Sequence, residues 1–153
     1  MSAEQADWLV SAELAPDAAD PRLAPFYAAA ARGALELPRC AGCGLALELE
    51  QRVCDGCGGC EVRWAEAERA GIVHASTSVH RREAALIRTD APYPVLDVEL
   101  SSGHRLVMTT VERSDRDVEI GTPVQIGFRS IGGVTVPAAF LPEAPPPTLE
   151  VHQ

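Results

Sequence analysis

The chain has 153 residues, with 22 acidic against 13 basic side chains and a formal net charge of −9. That length holds one domain or two small lobes, the charge repels nucleic-acid phosphates overall, and no apolar run approaches the roughly 18 residues a membrane span needs. The basic residues are all arginine, and without lysine the chain can be neither a Schiff-base aldolase, nor a pyridoxal-phosphate enzyme, nor a Walker-type phosphate binder.

Residues 1–20 are acidic and alanine-rich. Met1 to Val10 has neither a basic start nor a long apolar run, so the expected location is the cytoplasm. Ala3 to Ser11 reads as a short helix carrying Trp8 and Leu9, either as a loose arm or as an arm that docks a partner through Trp8. A second helix is expected over 21–32. Asp20 can cap it, and Pro21 sits where the first turn needs no N–H. Leu23, Phe26, Tyr27, Ala30 and Ala31 follow the spacing of one apolar face, and Gly33 ends it. Ala34 to Arg39 then reads as extended chain.

Two cysteine pairs follow, Cys40-x2-Cys43 and Cys54-x2-Cys57, each succeeded at once by glycine. Thiolates two residues apart can turn toward one metal, and Gly44 and Gly58 allow the open backbone conformation that the tight turn needs. Two such knuckles complete a four-sulfur tetrahedral shell suited to structural Zn2+. Iron in a rubredoxin-like site uses the same knuckles, and two disulfides would need an oxidising compartment. Cys60 creates a rival register, Cys57-x2-Cys60, but Glu61 rather than glycine follows it. Beyond Leu45, Leu47, Leu49 and Val53 the segment 38–61 has little to bury, so metal binding should supply its folding energy.

From Val62 the pattern changes to period two. Strands are expected at about 62–68, 71–80, 94–101, 104–112 and 123–130, with a short one near 134–137. Ser101-Ser102-Gly103-His104 connects a hairpin, and Asp115 to Ile120 is too short and polar for more than one helical turn. Five or six short strands without long helices suggest a small closed or half-closed barrel such as an OB fold. The Pro145-Pro146-Pro147 tail reads as extended. The expected fold is therefore mainly β: an arm and helix over 1–37, a rubredoxin-like zinc ribbon over 38–61, an OB-fold barrel over 62–142, and a proline-rich tail over 143–153.

This order carries a resemblance. Ala24-Pro25-Phe26-Tyr27, Arg32-Gly33-Ala34-Leu35 and Pro38-Arg39-Cys40 lead into the first knuckle. Further on stand Ala70-Gly71-Ile72-Val73 with Ser76 to His80, then Ala91-Pro92-Tyr93-Pro94-Val95 continuing to Gly103. Glu119-Ile120-Gly121-Thr122-Pro123-Val124 and Val136 to Pro142 complete the set. Together, over about residues 24–142, the chain resembles the two-domain zinc-ribbon/OB-fold family of acyl-CoA-associated proteins, once catalogued as a domain of unknown function. It departs from the family between the knuckles. There the family often has an aromatic and two prolines, and this chain has Leu47 to Arg52.

The resemblance implies a non-catalytic accessory subunit of a thiolase-superfamily enzyme: a thiolase, an acyltransferase, a hydroxymethylglutaryl-CoA synthase or a retro-aldolase. It implies an assembly that is a heterotetramer, with an acyl-CoA site shared between the subunits. In that setting Arg81, Arg82 and Arg88 are the candidate coenzyme A phosphate contacts, because a guanidinium fork matches phosphate oxygens. Tyr93 is the candidate stacking or partner residue nearby. A duller reading pairs these arginines with Glu83 and Asp90.

No self-contained catalytic set is legible. His74 and His80 lie an even six residues apart and would share a strand face; His104 sits in an expected turn, and His152 in the tail. Asp97 and Glu99 alternate as on a solvated face. Two other readings compete with the accessory subunit. A zinc-ribbon/OB-fold nucleic-acid module would need a basic groove and exposed aromatics, whereas aromatics are only 5% of this acidic chain. An independent acyl-CoA enzyme or redox ribbon would have Cys60 as its only suggestive nucleophile.

Overall fold

The computed structural model describes residues 5–143. Residues 1–4 and 144–153 lie outside it, and so does the extended-tail expectation. The elements run in chain order as a 3-10 turn (Ala12–Leu14), α1 (Ala24–Ala31), β1 (Glu36–Cys40), β2 (Val62–Glu66), β3 (Ala70–Val79), β4 (Tyr93–Leu100), β5 (Arg105–Met108), β6 (Pro123–Ile131) and β7 (Val134–Phe140). Among the described residues no helix is long and apolar enough to cross a membrane.

β3 to β7 form one antiparallel sheet in the order β5-β4-β3-β6-β7. It curls until its outer strands meet: Ala139 N–H donates to the Thr109 carbonyl and Val111 N–H to the Ala139 carbonyl, both at 2.9 Å, in a parallel bridge at Thr110 and Ala139. Five strands joined this way make the partly open OB barrel. β5 is shorter than the expected 104–112 because the chain leaves β4 after Met108 to reach β7. β7 is longer than expected, seven residues paired along β6.

The strand expected at 62–68 is β2, and its partner is β1, from Cys40↔Val62 to Glu36↔Glu66. This two-stranded stem carries the knuckles at one end and enters the barrel core at the other. Leu35, Leu37 and Ala67 join the same buried cluster as Val73, Leu96 and Val98. α1 lies against β7 and β1 and buries Phe26, Ala29 and Ala30. It starts three residues later than expected. Asp20 spends its carboxylate on the Arg22 N–H and guanidinium, in a turn ahead of the helix, and Pro25 occupies the first turn instead. Ala31, expected on the apolar face, is exposed.

The N-terminal arm corrects both sequence readings of it. Its described part is extended rather than helical before the 3-10 turn, and it docks on its own barrel. Leu9 is buried with Ile87 and Tyr93. Val10 bridges Ile87, flanked by Ser11 N–H to the Leu86 carbonyl and Arg88 N–H to the Leu9 carbonyl, both 2.8 Å. Trp8 donates its indole N–H to the Thr110 carbonyl at 3.0 Å. Asp7 accepts from the Leu9 and Val10 amides and pairs with Arg129 at 2.7 Å.

Candidate metal centre and binding surfaces

Each knuckle closes in the same way. Gly44 N–H returns to the Cys40 carbonyl at 2.8 Å, and Gly58 N–H to the Cys54 carbonyl at 2.9 Å. The glycines stand at φ 77° and 74°, where a side chain would be strained. The hairpin between the knuckles brings Cys40, Cys43, Cys54 and Cys57 together with all four Sγ atoms within 4.8 Å of one another. Two pairs, Cys40 with Cys57 and Cys43 with Cys54, stand at 3.5 Å. A tetrahedron of zinc–sulfur bonds has edges of about 3.8 Å, so the donor set fits a metal such as zinc. Cys60 lies outside the cluster, exposed, with its sulfur 3.9 Å from the Gly58 carbonyl. The glycine-marked register is the one the fold uses.

The sulfurs cannot all ionise in one another's company. The Cys43 and Gly42 amides hold the Cys40 thiol down to about 6. Cys57 receives the Gly59 amide, yet the sulfurs of Cys40 and Cys43 push it up to about 11. A divalent cation removes that conflict by supplying the missing positive charge. Cys40 and Cys54 are buried around Leu47, while Cys43 and Cys57 face outward.

The centre is tied to the barrel by polar contacts that no local pattern announces. Arg39 spans from the Gly44 carbonyl in the first knuckle to the Ser102 carbonyl in the β4–β5 turn, at 2.9 and 2.6 Å. His104, expected in an open turn, is buried, at 5% exposure. Its Nε2–H donates to the Pro38 carbonyl, and Nδ1 accepts from the Ser102 hydroxyl, both at 2.8 Å. Burial pushes its pKa below the ordinary histidine value, with the nearby Arg39 charge adding to the shift. A separation of 66 residues between partners hides this junction from sequence reading.

The arginine loop leaves the other end of β3. Arg81, Arg82 and Arg88 are all exposed. Arg81 pairs with Glu83 at 2.7 Å, as the duller reading has it. Arg88 emerges beyond the bridge to the arm and borders a hollow shared with Asp7, Ser130 and Gly132. Tyr93 is 7% exposed and packs under the loop with Leu9 and Ile87, so its ring supports the loop from below and is not offered to a ligand. His74 and His80 do not share a face. A β-bulge at His74, between the pairs Val73↔Val98 and Ala75↔Asp97, shifts the alternation. His74 meets Glu99 at 3.3 Å, and Asp97 pairs with Arg105, both on the solvated face expected for these acids.

Residues 64–129 match the model of a family described as "ChsH2, C-terminal OB-fold domain". A solved structure, "Ltp2-ChsH2(DUF35) aldolase", is similar over 78% of this chain and 94% of its own, at 28% sequence identity and a TM-score of 0.67. No curated protein matches the chain in sequence. The barrel is thus similar to the C-terminal OB-fold domain of ChsH2, both in sequence and in fold.

Proposed function

We propose that this chain is a non-catalytic, zinc-containing accessory subunit of a thiolase-superfamily enzyme, of the retro-aldolase class, acting in the cytoplasm. The observation that carries this reading is the 28% identity over nearly the whole of a chain in the Ltp2-ChsH2(DUF35) aldolase. The chemistry of the site agrees with it. Four thiolates around one zinc leave no open coordination position, so such a centre holds structure rather than substrate. Ser102, whose hydroxyl meets His104, lies in the ribbon–barrel junction, where its carbonyl accepts from Arg39 and the imidazole is tied to the Pro38 carbonyl. The large subunit then supplies the catalytic groups, while this chain stabilises the complex, a heterotetramer, and helps form the acyl-CoA site. In that site Arg81, Arg82 and Arg88 face the coenzyme phosphates.

The test is co-expression of the tagged chain with thiolase-superfamily proteins of the source organism, followed by mass spectrometry and activity assays. Co-purification at near-equal stoichiometry, with retro-aldol cleavage of an acyl-CoA only in the complex, is the expected result. Full activity of the large subunit alone would overturn the proposal. Acyl-CoA affinity of the complex should fall when Arg81 and Arg82 are changed together.

A further inference from the structure

The ribbon end of the barrel carries a hollow of about 540 Å3, between the start of β3, the β4–β5 turn and the turn before β6. Two large apolar side chains from different segments meet there in the open: Ile72 is 53% exposed and Ile120 72%. Neither position is required to be apolar by the core, whose β3 and β6 members Val73 and Val124 point the other way and are buried. The ionisable groups at this hollow are Glu68, Glu99 and His74. Glu68 takes the Ser101 hydroxyl and Glu99 faces His74, so the rim presents two carboxylates and no arginine.

Backbone geometry adds to the opening. β3 pairs with β6 only from Ala70 to Ile72, and the Val73 backbone closes the contact through Thr122 and Gly121. Beyond that, β3 keeps β4 as its sheet partner along one side alone. The bulge at His74 turns the strand where the hollow lies, a place where bulges re-aim side chains.

We infer that this hollow is the docking site for the large subunit, and that it receives an apolar side chain flanked by a lysine or arginine of that subunit. The inference rests on the accessory-subunit reading. The exposed isoleucines supply the apolar anchor that interface centres use, and the acidic rim supplies complementary charge. The rival hollow beside α1 and β5 has mixed charge, with Arg105, Arg129 and Glu48 on its border, and its arginines are already paired within the chain. The arginine loop begins at the far end of β3, roughly 25 Å away at about 3.3 Å per strand residue. Docking and anion contact are therefore separable.

The experiment compares the wild-type chain, Ile72→Glu, Ile120→Glu and Val107→Glu for binding to the co-purified large subunit. Val107 is as exposed as Ile120 but lies on β5, away from the hollow, and so controls for an added surface charge. Ile120 lies in a turn rather than a strand, so its variant keeps the test sound should Ile72→Glu disturb β3. The expected result is at least roughly a tenfold loss of affinity for each isoleucine variant, the size typical of an interface anchor, with Val107→Glu unchanged. Changing Glu68 and Glu99 together to lysine should weaken binding further in low salt. Wild-type capture with both isoleucine variants within twofold of it would overturn the docking site while leaving the subunit reading intact. Failure of the wild-type chain to bind any thiolase-superfamily protein would overturn both. A wild-type homodimer split by Ile120→Glu, with large-subunit binding unaffected, would assign the hollow to a second copy of this chain and overturn the inference.

Discussion

The two ends of β3 are fastened by different chemistry. At the ribbon end, four cysteines, the Arg39 fork and the buried His104 hold the knuckles to the β4–β5 turn. At the other end, the arm holds the arginine loop with one bridge, a small apolar cluster and the Asp7–Arg129 pair. The cysteine part of the first fastening is written in a motif and could hold a metal such as zinc. The second is written in no motif and depends on a carboxylate 122 residues from its partner. A four-sulfur cluster that holds a metal is lost all at once when the metal leaves, whereas the arm can be loosened one contact at a time.

The strongest way to break the comparison is to remove the metal. Chelation, or Cys54→Ser, should unfold the ribbon, since structural zinc contributes of order 10 kcal/mol of folding free energy in such sites. Circular dichroism with metal analysis should show the loss. Cys60→Ser, outside the cluster, should stay within about 0.5 kcal/mol of wild type.

Next in size is the arm. Asp7→Ala leaves the largely buried Arg129 without its counter-charge, an effect of about 3 kcal/mol when one member of a buried pair is removed. Because the chain has no lysine, trypsin cuts only after arginine. Loosening the arm should therefore appear as faster cleavage at Arg81, Arg82 and Arg88 with the metal still bound. Equal cleavage of variant and wild type would show that the loop holds its shape without the arm.

The smallest effect sharpens the ribbon end. The folded His104 has a lowered pKa, so the unfolded chain binds the proton more readily. Its contribution is complete above the unfolded value of about 6.5 and is lost as pH falls below it. Urea midpoints should decline from pH 7.5 to pH 5, and His104→Gln, which can still donate to the Pro38 carbonyl, should flatten that slope.

The legible parts of the molecule are those whose signal is local. The cysteine spacing with its trailing glycines named the four clustered residues and rejected Cys60, and period two marked β3, β4 and β6 closely. In the arm, alanine content favours a helix in isolation, while Leu9 and Trp8 find better partners on the barrel. For Tyr93, expected as a stacking or partner residue, strand alternation does not say which layer lies above it; the arm and loop do. The even spacing of His74 and His80 failed at one inserted residue, since a bulge reverses every face beyond it. His104 and Arg39 gave no sign of their role, because each acts across contacts that exist only once ribbon and barrel meet.

The stem strands have a consequence for how this molecule can be divided. Leu35, Leu37 and Ala67 come from the ribbon side of the chain yet pack in the middle of the barrel cluster. A fragment beginning at β2 would lack the floor of its own interior, and a ribbon cut free would expose two leucines that are fully covered in the whole. The two parts are thus not interchangeable modules. The shared cluster predicts that ribbon stem and barrel melt together, and any graft of this barrel onto another protein should carry β1 with it.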